Sequence, residues 1–132
     1  MASRRPSPFT KLIGLNFTRR DSDRVESELV VQEDVCNGRG VLHGGVMMSM
    51  GDATGAQLTL ANLPEGSHTA TIESKTNFFV PVPKGDTVRA VATALHRGRT
   101  TMVLETKITR SDGKLAAIVM QTQLIFPPEA KA

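Results

Sequence analysis

Tryptophan and tyrosine are missing from these 132 residues, cysteine occurs once, and aromatic residues amount to only 4%. The interior must therefore be built from Val, Leu, Ile, Met, Ala and the five Phe. That is a light core for a chain of this length, and it favours burying further apolar area between subunits. Cys36 has no second cysteine to pair with, so nothing calls for an oxidising compartment. No apolar run approaches the roughly 18 residues of a membrane span, and no signal-peptide core follows Met1. The expected setting is cytoplasmic, with no membrane partner. The net charge of +3 comes without any basic stripe interleaved with aromatics, so nucleic acid is not an expected partner. His68 and His96 have no ligand spacing with Cys36 or the acids, and no metal is expected.

What is present suggests one domain over residues 1–132, with residues 1–8 and 127–132 as flexible tails. Residues 9–15 predict a short helical turn that Gly14 helps to end. Residues 24–31 alternate, with Val25, Ser27, Leu29 and Val31 on one side and Arg24, Glu26 and Glu28 on the other, as in a half-buried strand. Asn37, Gly38, Gly40, Gly44 and Gly45 then crowd into nine residues, marking backbone that bends or lies close to something else. Residues 46–62 predict a helix, because Val46, Met47, Met50, Thr54 and Leu58 recur at three- and four-residue spacing. Its small residues Gly51, Ala53, Gly55 and Ala56 permit close packing. Leu63, Pro64, Glu65 and Gly66 stop it. Strands are expected at 69–80, 87–97, 101–110 and 115–126, joined by the Gly98-Arg99 hairpin and the Asp112-Gly113 turn. One helix cannot cover both faces of such a sheet. An antiparallel sheet curled around the helix, an α+β arrangement, leaves the other face or an edge to a partner.

The run Asn37-Gly38-Arg39-Gly40-Val41-Leu42-His43-Gly44-Gly45, with Asp52 following on the helix, resembles the hotdog-fold acyl-CoA thioesterases, and most closely their phenylacetate-degradation type. Pro83-Lys84-Gly85-Asp86, His96-Arg97-Gly98-Arg99 and Asp112-Gly113-Lys114-Leu115-Ala116 extend the match over roughly residues 25–125. The resemblance implies an antiparallel sheet wrapped around one long central helix, and hydrolysis of the thioester of a small aromatic or medium-chain acyl-CoA. It implies an essential acid at Asp52, a positioning role for His43, and a hydroxyl near Thr71 that helps hold substrate or water. It further implies a site shared across a homodimer, with dimers pairing into tetramers. Coenzyme A enters as part of the substrate, and no separate cofactor is expected.

The residues support a physical reading alongside this. If Gly44 and Gly45 open the helix, their amides lack intrahelical acceptors and lie at its positive end. A carbonyl laid there meets donors for a developing oxyanion, and a side chain at either position would keep it away. His43 and Asp52 are nine residues apart, about 13.5 Å of helical rise and half a turn out of phase. Two chains related by a two-fold axis could set the helix start of one against the helix middle of the other. A carboxylate at Asp52 could attack directly or take a proton from water, while Asn37 orients that water. Asn37 also suits a plain turn. Arg97, Arg99 and Lys84 are candidates for coenzyme A phosphates, although hairpin-tip charges usually only keep an edge soluble. Two rival functions share this architecture. One is an acyl-thioester dehydratase or hydratase working through His and an acid. The other is a non-catalytic acyl-CoA-binding module.

Overall fold

The computed structural model describes residues 7–129. The Ser7 hydroxyl accepts from the Thr10 amide, and Pro8 occupies the first turn, where its missing N–H costs nothing, so a short helix α1 (Pro8–Leu12) begins inside the expected tail. Residues 1–6 and 130–132 of the two expected tails lie outside the described residues. Gly14 turns the chain out of α1 at a φ of 78°, a conformation that favours glycine.

Strands β1 (Asn16–Arg20) and β2 (Arg24–Val30) form a hairpin, and the helix α2 (Gly44–Ala61) follows a loop. Strands β3 (His68–Phe78), β4 (Thr87–Arg97), β5 (Thr101–Thr109) and β6 (Leu115–Phe126) complete the chain. All pair antiparallel, in the order β1-β2-β4-β5-β6-β3. Six strands therefore stand where the periodicity marked five. The extra one, β1, reads Asn-Phe-Thr-Arg-Arg, and with Phe17 as its one apolar residue it shows no alternation. Its pairing with β2 makes it a strand.

The alternation read in residues 24–31 is obeyed: Val25, Ser27, Leu29 and Val31 are buried. Glu26, on the opposite side, is nevertheless only 6% exposed. Arg89, Arg24 and Arg19 close over its carboxylate. Helix α2 lies in the concave face, burying Met47, Met50, Gly51, Thr54, Gly55, Leu58 and Thr59. Against it stand Leu29, Val88, Ala90, Ile108 and Val119 near its start, and Val25, Ala92, Met102 and Leu104 near Leu58. Inside this contact Ser27 and Thr54 share a 2.8 Å hydrogen bond, and the Thr54 hydroxyl lies 2.6 Å from the Met50 carbonyl. Two buried hydroxyls thus satisfy one another. Gly51 packs on Val119 and Gly55 on Gln121, closer than any side chain would permit. No helix among the described residues is long and apolar enough to cross a membrane.

At the sheet's edge β3 pairs only with β6, and nearly all its eleven residues are exposed, Ile72 and Phe78 among them. A long, exposed edge of this kind is what natural proteins normally cover.

Candidate active site

The loop before α2 is held from two sides. The Leu42 amide donates to the Val82 carbonyl and the His43 amide to the Val35 carbonyl, at 2.8 and 2.9 Å. Within it the Asn37 Oδ1 accepts from the Arg39 amide at 2.9 Å, an Asx turn, and Gly40 takes a φ of 77°. Asn37 therefore shapes the loop with its oxygen. No acceptor among the described residues takes its Nδ2.

His43 is the N-cap of α2, and its Nδ1 accepts from the Gly45 amide at 2.8 Å. An imidazole nitrogen that accepts carries no proton, so the hydrogen of neutral His43 sits on Nε2. The His43 carbonyl accepts from the Val46 and Met47 amides. Of the two amides expected to be open, Gly45 is thus taken by the cap. The Gly44 amide remains without an acceptor among the described residues. Over Gly44 lies the ring of Phe78, and a Cβ there would meet its Cζ at 3.2 Å.

Two turns into α2 stands Asp52. Gly45, Met48, Ser49, Asp52, Ala56 and Leu60 share one face of the helix and line a cleft of about 680 Å3. Phe9 and Thr10 of α1 and Phe17 of β1 form part of its other wall. Met47 and Met50 go into the core as their spacing suggested, whereas Met48 turns into this cleft.

The Asp52 carboxylate is gripped from the sheet. The Thr71 hydroxyl donates to Asp52 Oδ1 at 2.6 Å, and the Gln123 Nε2 donates to Thr71 Oγ1 at 2.6 Å. Gln121 Nε2 donates to the Asp52 carbonyl at 3.3 Å. A bulge between Thr71 and Glu73 locally shifts the register of β3 beside Thr71. The sequence motif did not reveal Gln121 and Gln123. A signal was present, because in β6 they continue the inward alternation of Ala117 and Val119, where a polar side chain needs a partner.

The remaining candidates are spread out. Arg97 donates to the Asn62 Oδ1 and the Ser22 carbonyl, tying the end of α2 to the β1–β2 turn. Lys84 lies 3.6 Å from Glu33. The single cysteine, Cys36, is no candidate: its thiol donates to the Gln32 carbonyl at 3.3 Å.

Sheet, helix and cleft together define a hotdog fold with a polar site on its central helix. A family model described as thioesterase superfamily matches residues 39–117. The chain belongs to that superfamily. A relative from Saccharolobus solfataricus, provisionally named an esterase, is 30% identical over 122 residues, 92% of this chain and 86% of its own. The solved thioesterase HI1161 from Haemophilus influenzae superposes with a TM-score of 0.86 at 25% identity, covering 90% of this chain and 82% of that one. The PaaI protein of the phenylacetic acid degradation operon of E. coli shares the fold, with a TM-score of 0.85 at 21% identity over 95% of this chain and 88% of its own. These matches support a hydrolase of the esterase and thioesterase kind.

Proposed function

We propose that this protein hydrolyses the thioester of an acyl-CoA carrying a small aromatic or medium-chain acyl group, in a site completed by a second copy of the chain. The observation that carries the reading is the cleft along α2. It has Asp52 in its wall, with the carboxylate directed by Thr71, and Gly45 at the helix end, next to which the Gly44 amide stands without an acceptor. Within one chain those two groups are eight residues apart, about 12 Å of helical rise, too far to act on one carbonyl. In a two-fold dimer the Gly44 amide of one chain and Asp52 of the partner subunit face the same thioester. The exposed edge of β3 supplies a surface on which such a dimer can form, and dimers of this kind pair further into a tetramer.

Hydrolysis then proceeds by attack on the thioester carbon. The carbonyl π electrons move to oxygen, and the Gly44 N–H meets the developing charge at the positive end of α2. Asp52 acts as general base on water or attacks as nucleophile through a mixed anhydride. In both routes the carbon–sulfur bond breaks, coenzyme A leaves as the thiol after taking up a proton, and water supplies the acid's hydroxyl. His43 fixes the geometry by capping the turn that presents Gly44. Asn37 Nδ2 is available to orient the water, and Gly45 gives the substrate room to approach.

The test is a hydrolysis screen over acyl-CoAs with thiol detection, on wild type and Asp52→Asn together. Thiol release that depends on Asp52, with no change at an enoyl chromophore, supports the proposal. Full activity in Asp52→Asn defeats it. Enoyl chemistry without thiol release indicates a lyase, and tight binding without turnover a binding module.

A further inference from the structure

The grip on Asp52 continues behind Thr71 into the interior of the sheet. Gln123 is fully buried, and its amide spans two threonines of the neighbouring strand. Its Nε2 lies 2.6 Å from Thr71 Oγ1, and its Oε1 lies 2.8 Å from Thr69 Oγ1. Proton counting fixes the direction of both bonds at Thr71. A carboxylate only accepts, so the single Thr71 hydroxyl proton is committed to Asp52. The second contact of Thr71 Oγ1 must then come from a donor, which only the amide nitrogen of Gln123 can be. This leaves Oε1 facing Thr69, whose hydroxyl has Oε1 and the Leu124 carbonyl within 2.8 Å as acceptors. The polarity runs one way, from sheet interior to carboxylate.

We infer that Gln123 is a positioning residue for the reaction: by donating to Thr71 it forces the Thr71 hydroxyl to point its proton at Asp52, and so holds the carboxylate in one rotamer facing the cleft. The inference rests on the thioesterase reading of Asp52. Without Gln123 the Thr71 hydroxyl has no donor on its sheet side and is free to rotate, and Asp52 loses its fixed partner. Gln121 secures the other end of the same residue by donating to its backbone carbonyl. Alternate residues of β6 thus bear on Asp52 at both ends, Gln121 directly at the main chain and Gln123 through Thr71 at the side chain. The arrangement needs Gly55, because a Cβ there would run into the Gln121 amide.

The test compares Gln123→Met and Thr71→Val, which keep size but remove the donor and the hydroxyl, with Thr71→Ser, the double variant and Asp52→Asn. Gln123→Met and Thr71→Val should each lower kcat about tenfold with KM within about twofold, the signature of a misplaced catalytic group rather than lost binding. The double variant should be no worse than the poorer single one, since both break the same chain. Thr71→Ser should keep kcat within about threefold, because the hydroxyl survives. Unchanged kcat in Gln123→Met, or losses that multiply in the double variant, would overturn the inference while leaving Asp52 intact as the essential acid. Full activity in Asp52→Asn would instead remove the thioesterase reading. Side-chain coupling constants give a readout independent of turnover. Asp52 should show one χ1 rotamer in wild type and Thr71→Ser, and averaging in Gln123→Met and Thr71→Val. A single rotamer in all four refutes the positioning role even if no thioester is hydrolysed.

Discussion

Replacing Gly51 by alanine should destabilise this protein, although glycine to alanine inside a helix ordinarily stabilises it by about 1 kcal/mol. The added Cβ would lie 2.5 Å from Val119 Cγ2, 2.6 Å from its Cβ and 2.8 Å from its Cγ1. Carbon atoms in good contact sit roughly 3.5–4 Å apart, so α2 and β6 must separate locally by about 1 Å. Rotating Val119 brings no relief, because its own Cβ is one of the clashing atoms. Overpacking of this severity costs about 3 kcal/mol, and the gain in helix propensity reduces the net loss to about 2 kcal/mol. For a chain of this size that corresponds to a fall in Tm of about 8 °C. Circular dichroism melts and urea titrations at fixed protein concentration measure it, with the midpoint moving and the m value unchanged. Val119→Ala in the Gly51→Ala background removes two of the three clashing atoms. The double variant should therefore be about 1 kcal/mol more stable than the sum of the single effects predicts. A Tm for Gly51→Ala equal to or above wild type would refute the claim that helix and sheet meet here without slack.

Other perturbations probe different parts of the structure. Glu26 titrates below its ordinary value of 4.5, chiefly through its hydrogen bond from Arg89 and further through the charges of Arg89, Arg24 and Arg19, against the opposing effect of burial. Because the folded value is depressed, this contribution is complete above about pH 5.5 and is lost as pH falls through 4.5 toward the folded value. Glu26→Gln should flatten the acid limb of a stability–pH curve, and an unchanged limb would contradict the assignment. His43→Ala removes the cap of α2 and should cost about 0.5–2 kcal/mol in chemical denaturation, whereas His43→Asn keeps an acceptor and most of the stability. Gly44→Pro deletes the free amide at a position where helices accept proline, and should abolish hydrolysis. Gly44→Ala retains the N–H, so its loss should be smaller and should come from crowding the carbonyl's approach and from pushing Phe78. Mixing Gly44→Pro chains with Asp52→Ala chains should restore part of the activity, since one complete site re-forms in each heterodimer. Proven subunit exchange without rescue would exclude a shared site.

Much of the architecture could be read along the chain, because burial on one face leaves a period. Residues 24–31, 87–97 and 101–110 alternate and became strands, and Met47, Met50, Thr54 and Leu58 mark the buried stripe of α2. Strand β1 escaped notice because an edge ribbon carrying one Phe has no face to bury. The run from Asn37 to Gly45 and the acid at Asp52 pointed to the candidate site because helix-end chemistry is local. A cap, a turn and an open amide all fall within a few residues.

Other features are set by contacts between segments far apart in sequence. Glu26 alternates outward like any surface acid, yet Arg89 from a neighbouring strand and the local Arg24 and Arg19 cover it. His43 takes the Gly45 amide, the second of the helix, as an N-cap side chain ordinarily does, while bonds to the distant Val82 and the nearby Val35 hold the loop's backbone in place. Thr71 reaches Asp52, and Gln123 reaches Thr71, only because β3 pairs with β6 beneath the helix, over separations of 19 and 52 residues. Local sequence determined which elements form and which groups end a helix, since those depend on neighbours within a turn. Which polar side chains find one another was decided by the sheet's strand order, because a hydrogen bond needs its partners within about 3 Å and only the folded chain brings them there.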